Sequence, residues 1–308
     1  MPFNIKELSK KEDLLSGGHR LCAGCGASIV LRQALLAAKT PVVLTNATGC
    51  VEVSTTIFPF TSWKVPWFHS AFENSAASIS GIEAAYKALK RRGLIEKDIR
   101  FIGIGGDGGT YDIGFQALSG AMERGHRMLY ICYDNGAYMN TGIQRSSATP
   151  LGAWTSTSQV GEVIPGKVQW RKNLTEIMVA HNIPYVAQAS PSHFKDLIEK
   201  VEKALDVDGP TFINILSPCP LGWRYDGSIS IELAKLAVET CFWPLYEVVE
   251  GKYRINVTPR NKKPVEEWLK AQGRFKHLFE AKNAHLLETF QKKVDEEWEK
   301  LQKKTGVI

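Results

Sequence analysis

The chain has 308 residues, of which 44% are hydrophobic and 23% are charged, and its formal net charge is +6. This composition is typical of a soluble globular protein and excludes a disordered or fibrous chain, while the length allows one large α/β domain or two smaller ones. The basic residues are scattered and form no nucleic-acid-binding module, so we expect no nucleic-acid partner.

The N-terminal segment carries no targeting signal. Residues 1–15 lack an apolar stretch of secretory length, and no part of the chain reaches the roughly 18 consecutive apolar residues of a membrane span. We therefore expect a cytoplasmic protein without membrane association. In that compartment, six cysteines indicate metal ligation or redox chemistry before disulfides.

Strands and helices alternate along most of the chain. Short apolar runs with β-branched residues predict strands at 41–46, 100–105, 128–133, 185–189 and 211–216. Helical apolar spacing predicts helices at 27–38, 75–92, 113–124, 174–181 and 193–205. This alternation predicts an α/β fold with a doubly wound, mainly parallel sheet and helices on both faces. Ligands of such sheets bind beyond the carboxyl ends of the strands.

Two segments depart from this alternation. Residues 136–170 form a long polar stretch rich in Ser, Thr, Gly and Pro, and a loop of that length inside a compact domain is usually functional. Near the C-terminus, apolar residues recur every three or four positions between Leu286 and Leu301, which is typical of an amphipathic helix. The chain is thus predicted to comprise a ligand-binding domain at 1–245 and a C-terminal helical extension at 246–308. The extension is expected to pack on this domain or on a partner subunit.

A glycine-rich turn follows the second predicted strand. Residues 105–109 read GGDGG, and Asn135 stands 28 residues after Asp107, at the end of the next strand. Glycines let phosphate approach the backbone amides, and the Asp and Asn side chains supply the hard oxygens that Mg²⁺ prefers. This pattern resembles the thiamine diphosphate motif.

Two other phosphate-binding motifs also have glycine-rich turns. A P-loop is excluded because no GxxxxGK[ST] occurs. A dinucleotide fingerprint remains open, since residues 103–108 fit GxGxxG and Asp134 could bind a ribose. Against it, the Asp107 carboxylate would lie beside a pyrophosphate with no cation to separate them.

Four cysteines stand in motifs that suit metal binding. Cys22 and Cys25 form a CxxC, Cys50 ends TGC, and Cys219 lies in SPCP. Four thiolates from separate loops suit a [4Fe–4S] cluster. A zinc knuckle and a redox dithiol remain alternatives, although a zinc site usually shows a second ligand pair and a redox dithiol would follow a strand.

The other two cysteines stand in apolar sequence. Cys132 lies inside a predicted strand, and Cys241 precedes Phe242 and Trp243. Both are predicted to be buried structural thiols.

Taken together, these motifs resemble the β subunit of the 2-oxoacid:ferredoxin oxidoreductases, the pyruvate:ferredoxin oxidoreductase family. The matching stretches are HRLCAGCG, NATGCVEV, VPWFHSAFEN, IGGDGGTYDIG, YDNGAYMNTGIQRSSATP and SPCPLGW, between His19 and Trp223. The resemblance implies a thiamine diphosphate-binding fold and an enzyme that is active only as a multi-subunit complex. It implies oxidative decarboxylation of a small 2-oxoacid such as pyruvate, with electrons passed to ferredoxin. Oxalate and branched-chain 2-oxoacids are substrates of close relatives.

The resemblance also implies roles for individual residues. One [4Fe–4S] cluster would be ligated by Cys22, Cys25, Cys50 and Cys219. The thiamine diphosphate would be held by Cys50, Gly106, Asp107, Gly108, Gly109, Asn135, Ala137 and Asn140. Mg²⁺ would be bound by the side chains of Asp107 and Asn135 and by the Ala137 carbonyl. The candidate catalytic residues are Asn140, Thr141 and Asp112.

Other parts of the site would come from partner chains. In the family, the glutamate that activates the aminopyrimidine ring and most contacts to the substrate lie on an α-type subunit or domain, so the isolated chain is expected to be inert. Further γ- and δ-type subunits would carry ferredoxin-like clusters, ferredoxin would be the acceptor, and coenzyme A could be a co-substrate.

Two positions depart from the family pattern. Ala27 stands where many relatives carry histidine, and Gly136 stands where many carry glutamate. Gly136 removes a carboxylate beside a cation ligand, so the identity of the 2-oxoacid stays open. The alternative function is a non-redox thiamine diphosphate decarboxylase or carboligase subunit with a structural zinc site.

Overall fold

The structure is a computed structural model that describes residues 5–57 and 59–306. Its strands are β1 (Val42–Asn46), β2 (Trp67–His69), β3 (Arg100–Gly106), β4 (Leu129–Asp134), β5 (Tyr185–Ala189), β6 (Thr211–Leu216), β7 (Leu245–Val249) and β8 (Lys252–Val257). They form one eight-stranded sheet in the order β2-β1-β3-β4-β6-β5-β7-β8. The first six strands pair in parallel, whereas β7 and β8 add an antiparallel hairpin at one edge.

Helices cover both faces of this sheet. They are α1 (Ile5–Leu8), α2 (Gly26–Leu36), α3 (Cys50–Thr55), α4 (Ser75–Arg91), α5 (Phe115–Glu123), α6 (Leu174–Val179), α7 (Phe194–Asp206), α8 (Pro220–Trp223), α9 (Ser230–Glu239), α10 (Val265–Lys270) and α11 (Ala284–Lys304). Helices α2 and α7 contribute to the core on one face, and helices α4, α5 and α9 to α11 contribute to the core on the other. The predicted α/β fold, with a mainly parallel sheet and helices on both faces, is confirmed.

The central strands are apolar on both sides because both faces of the sheet are covered. In β3, Phe101 packs into the core beneath α4 and α5, while Ile102 and Ile104 pack into the core beneath α2 and α7. Cys132 in β4 and Cys241 after α9 are 0% and 4% exposed, which confirms that both are buried thiols.

The C-terminal part of the chain joins the same core. The predicted boundary at residue 245 falls at the first residue of β7, and β8 then completes the sheet. Trp268 of α10 and Phe290 of α11 are fully buried in the core that also holds Phe101. That residues 246–308 form a separate extension therefore stays a prediction. This part of the chain does contain helices α10 and α11.

The register of the parallel strands aligns their carboxyl ends. Gly106 of β3 pairs with Tyr133 of β4, and Asp134 pairs with Leu216 of β6. On the other side, Asn46 of β1 pairs with Ile104. The chain segments that begin at residues 47, 107, 135 and 217 therefore leave the sheet at one edge.

Within the described ranges, no helix is both long enough and apolar enough to cross a membrane.

Candidate functional site

Asp107 is a buried carboxylate directly after β3. Its side chain is 0% exposed and accepts hydrogen bonds from the Ser146 hydroxyl (2.5 Å) and the Asn135 backbone N–H (3.2 Å). Burial, and then the neighbouring Asp134 carboxylate, raise the pKa of Asp107 well above its ordinary value. In the described part of the chain, no Lys, Arg or His forms an ion pair with Asp107 within 4.0 Å. A bound cation would offset this cost and keep the carboxylate ionised.

Two further oxygens converge on this carboxylate. The Asn135 side-chain oxygen lies 2.8 Å from the Ala137 carbonyl oxygen and 2.9 Å from Asp107 Oδ1. Adjacent oxygens of an octahedral Mg²⁺ site are about 3.0 Å apart, because each Mg–O bond is about 2.1 Å. Turning the Asn135 amide over would convert both contacts into N–H···O hydrogen bonds. With the amide nitrogen turned inward, the protein alone satisfies the hydrogen bonds of these groups. With the amide oxygen turned inward, the three oxygens are placed to bind a magnesium ion.

The chain after Asp107 forms a π-helical turn at Gly108–Asp112, and such turns are frequent at functional sites. The glycines are needed for close packing: a Cβ at Gly108 would lie 2.4 Å from the Tyr138 ring, and one at Gly109 would lie 3.1 Å from the Phe72 carbonyl oxygen. Gly108 and Gly109 are buried, so their backbone amides would face a phosphate only after the Tyr138 ring has moved.

A narrow cleft runs along this turn. It is lined by Thr48, Gly49, Cys50, Phe72, Gly106, Gly108, Gly109, Tyr133, Asn135, Ala137, Tyr138, Met139, Asn140 and Thr141. The cleft has a volume of about 20 Å³, room for about one water molecule, because the Tyr138 ring packs on Gly108. A diphosphate needs more room than this, so the Tyr138 ring would have to move for one to bind.

Most of the predicted cofactor-binding residues meet in this cleft, and Asp107 lies behind its wall. Asp112 does not line it. Its carboxylate instead accepts hydrogen bonds from the backbone N–H (3.0 Å) and the hydroxyl of Ser147. Asp112 thus contacts the 146–149 loop in this structure, and its catalytic role stays a prediction.

The four motif cysteines line a second cavity, of about 380 Å³. Cys25 precedes α2, Cys50 begins α3 and Cys219 precedes α8, so three separate loops deliver them with Cys22. Burial, the largest cause, raises the pKa of Cys50 to about 12 and of Cys219 to about 11. No group of three or more His, Cys, Asp or Glu side chains in residues 5–57 and 59–306 is arranged to hold a single metal ion. The thiols surround a larger space.

Close backbone contacts hold the cysteine loops together. The Gly26 N–H donates to the Pro218 carbonyl (2.9 Å), and a Cβ at Gly26 would lie 2.6 Å from the Pro218 nitrogen. A Cβ at Gly24 would lie 2.2 Å from the Gly227 carbonyl oxygen. Residues without a side chain are therefore required for the CAGC loop to reach the loop that carries Cys219.

The cysteine cavity and the cleft adjoin. Cys50, Asn135, Met139 and Asn140 line both. A Cβ at Gly222 would lie 2.2 Å from Met139 Sδ, so α8 and the Met139 side chain are in close contact at this boundary. Any ligands that fill the two spaces would be separated by a few side chains only.

Two residues without a predicted role, Trp223 at the end of SPCPLGW and Arg274, lie beside the Asn135 and Cys219 segments. The Trp223 indole N–H donates to the Asn135 carbonyl (2.6 Å), and its backbone N–H donates to the Cys219 carbonyl (2.9 Å). The buried Arg274 guanidinium lies 4.3 Å from the centre of the Trp223 ring, and burial lowers its pKa to about 9. A Cβ at Gly136 would lie 3.1 Å from Arg274 Nη1. At the position where the chain departs from the family pattern, a buried cation therefore faces a glycine.

Asp134 has a structural role. Its carboxylate is 1% exposed, accepts a hydrogen bond from the Tyr111 hydroxyl (2.6 Å) and forms an ion pair with Arg171. It is not accessible to a ribose, which removes the main support for a dinucleotide site.

Comparison with known proteins agrees with this geometry. Residues 47–215 match the family model of the thiamine pyrophosphate enzyme C-terminal TPP binding domain. Pyruvate synthase subunit PorB of Thermotoga maritima is 53% identical, and the alignment covers 98% of this chain and 96% of that protein. Ketoisovalerate oxidoreductase subunit VorB of Pyrococcus furiosus is 46% identical, with 100% and 99% covered.

A solved structure shares the fold. It is the 2-oxoglutarate:ferredoxin oxidoreductase from Magnetococcus marinus with 2-oxoglutarate, coenzyme A and succinyl-CoA bound, with a TM-score of 0.52 and 22% identity over 70% of this chain and 76% of that one. The matched domain, the high identity over nearly the whole chain and the converging motifs show that this chain belongs to the β-subunit family of the thiamine diphosphate-dependent 2-oxoacid:ferredoxin oxidoreductases.

Proposed function

We propose that this chain is the cofactor-bearing subunit of a complex that oxidatively decarboxylates pyruvate, or a similarly small 2-oxoacid, and passes the electrons to ferredoxin. The observation that carries the proposal is the contact between the cleft and the cysteine cavity, which share Cys50, Asn135, Met139 and Asn140. An enzyme that moves electrons from a thiamine diphosphate to a cluster needs the two cofactors side by side. The relatives named pyruvate synthase support pyruvate as the substrate.

The cleft would hold thiamine diphosphate and Mg²⁺. The three convergent oxygens of Asp107, Asn135 and Ala137 are the donor set for the ion, and the turn at Gly106 to Gly109 is the place for the diphosphate. Bound thiamine diphosphate supplies the carbanion chemistry of decarboxylation. Ser146 holds the Asp107 carboxylate in place through its hydroxyl.

The cysteine cavity would hold one [4Fe–4S] cluster. Its volume of about 380 Å³ and its four thiols, delivered by three separate loops, suit a cluster, which is much larger than a single ion. Cys22, Cys25, Cys50 and Cys219 would be the ligands. Cys50, at the boundary of the two cavities, would place the cluster next to the thiamine site.

The remaining cleft residues would orient and shield the reactants. Asn140 and Thr141 offer polar side chains at the lining of the cleft, and Phe72 and Tyr138 pack against each other with ring centres 5.7 Å apart. These rings would exclude water from the reacting carbon. Asp112 is left with a positioning role through Ser147.

Partner subunits would complete the site. In the described residues, no carboxylate side chain lines the cleft, so the acid that activates the aminopyrimidine ring would come from an α-type subunit. Subunits with ferredoxin-like clusters would carry electrons onward to ferredoxin, and coenzyme A would accept the acyl group if the product is a thioester.

Replacing Asp107 with Asn should remove the charge that holds the cation while keeping the shape of the side chain. We expect the purified complex to lose bound thiamine diphosphate and to reduce a low-potential dye with pyruvate at least about 100-fold more slowly. Parallel assays with 2-oxoisovalerate, 2-oxoglutarate and oxalate would rank the substrates of the unmodified complex. Asp98→Asn, near the opposite end of the same strand, is the matched control and should change neither property. Full activity of the Asp107 variant would refute the assigned cation site.

Replacing Cys219 with Ser should remove a cluster ligand. The unmodified complex should show broad visible absorption that bleaches with dithionite. The variant should lose this subunit's share of that absorption, together with about four iron atoms per chain. Cys241→Ser, at a buried cysteine outside the cavity, should retain the iron. A colourless β subunit with bound zinc would instead support the non-redox thiamine enzyme.

Replacing Gly26 with Ala should force the cysteine loops apart, because the new Cβ would lie 2.6 Å from the Pro218 backbone nitrogen. We expect loss of iron together with a destabilisation of about 1–3 kcal/mol, measured by iron analysis and denaturant unfolding. Gly81→Ala is the control, since a Cβ at that helical glycine meets nothing within 4 Å. Equal iron content in the two variants would show that this close approach does not shape the cluster site.

A further inference from the structure

A histidine contacts the wall of the cleft without lining it. His69 ends β2, which pairs in parallel with β1 so that His69 lies opposite Asn46. Its imidazole Nε2 is 2.8 Å from the hydroxyl oxygen of Thr48, and Thr48 lines the cleft beside Gly49 and Cys50. The imidazole therefore reaches the cleft through a single hydroxyl group.

A carboxylate lies at the other nitrogen of this ring. Glu52 Oε1 is 3.6 Å from His69 Nδ1, within ion-pair distance once the ring is protonated. This neighbour favours the tautomer with its hydrogen on Nδ1, which leaves Nε2 to accept a hydrogen bond from Thr48. The His69 side chain is 31% exposed, so the ring also meets solvent. It is thus placed to accept a proton at one nitrogen and to release one from the other.

In the described residues, no side chain that lines the cleft is suited to take up a proton near neutral pH. The titratable lining residues are Cys50, Tyr133 and Tyr138, and Cys50 is the proposed cluster ligand. Burial, the largest cause, raises the pKa of Tyr133 well above its ordinary value and that of Tyr138 to about 12, so both phenols keep their protons. On this chain, a proton released in the cleft has to pass to a group behind its wall.

The proposed reaction releases protons together with its electrons. A 2-oxoacid anion and a thiol give a thioester, carbon dioxide, two electrons and one proton. With water in place of the thiol, the products are a carboxylate, carbon dioxide, two electrons and two protons. The bond between the carbonyl carbon and the carboxylate breaks, a bond from that carbon to sulfur or oxygen forms, and ferredoxin is the final oxidant. Each turnover therefore needs an exit for protons as well as for electrons.

We propose that Thr48 and His69 carry a proton out of the cleft. The Thr48 oxygen receives the proton as its hydroxyl gives its own proton to His69 Nε2, and the imidazolium is paired with the Glu52 carboxylate until Nδ1 releases a proton to solvent. Thr48 stands two residues before Cys50, so one loop would pass electrons to the cluster and protons to the surface. This inference rests on the proposed function and adds a proton path to it.

Replacing His69 with Ala in the purified complex tests this path. We expect dye reduction with pyruvate to slow at least about tenfold, while bound thiamine diphosphate and iron are retained. Added imidazole should restore much of the rate, and the restored rate should follow the basicity of substituted imidazoles, because the added base takes over the proton. His285→Ala, at an exposed position of α11, is the control and should neither slow the reaction nor respond to imidazole.

The Thr48 hydroxyl is tested by two variants of similar size. Thr48→Val keeps the shape of the side chain without its hydroxyl and should slow dye reduction as His69→Ala does, whereas Thr48→Ser keeps the hydroxyl and should retain most of the rate. Equal rates in the Val and Ser variants, or a slowed His69→Ala complex that keeps its cofactors and ignores imidazole, would overturn the proton path. Failure of the unmodified complex to oxidise any 2-oxoacid would instead refute the proposed function, so the two outcomes are distinguishable.

Discussion

The parallel pairing of β3 with β4 is the constraint on which the active site depends. Gly106 lies opposite Tyr133, so Asp107 and Asn135 leave the sheet next to each other and can share one ion. The neighbouring pairs of β1 with β3 and of β4 with β6 bring the Cys50 and Cys219 loops to the same edge. A slip of one residue in any of these pairs would turn the side chains to the wrong face and separate the two cavities.

The two buried carboxylates at this edge of the sheet, Asp107 and Asp134, have different partners. Asp134 is neutralised by Arg171 and hydrogen-bonded by Tyr111, whereas Asp107 has hydroxyl and amide donors but no cationic side chain as an ion-pair partner in the described residues. Asp107 is thus the carboxylate that gains most from a bound cation. Arg274 adds a buried positive charge near Gly136, where a carboxylate would otherwise be expected from the family pattern.

Much of this could be predicted from sequence because buried parallel strands have continuous apolar runs. Strands at 185–189 and 211–216 were predicted with their observed bounds, and the Asp107–Asn135 spacing follows from the length of one helix between two strands. The helix predicted from residue 113 begins later, at Phe115, because Ile113 and Gly114 form a turn between it and the π-helical segment Gly108–Asp112. The roles of Trp223 and Arg274 and the contact of Asp112 with Ser147 depend on distant segments that only folding brings together, so no local pattern signals them.

We propose that a divalent cation and an iron–sulfur cluster bind side by side, with Cys50 between them. Electron paramagnetic resonance of the complex with Mn²⁺ in place of Mg²⁺ measures this directly. We expect that reducing this subunit's cluster with dithionite broadens the Mn²⁺ signal through magnetic coupling at short range, and that Cys219→Ser abolishes the broadening. A Mn²⁺ signal that stays unchanged while the cluster is fully reduced would contradict this arrangement of the two sites.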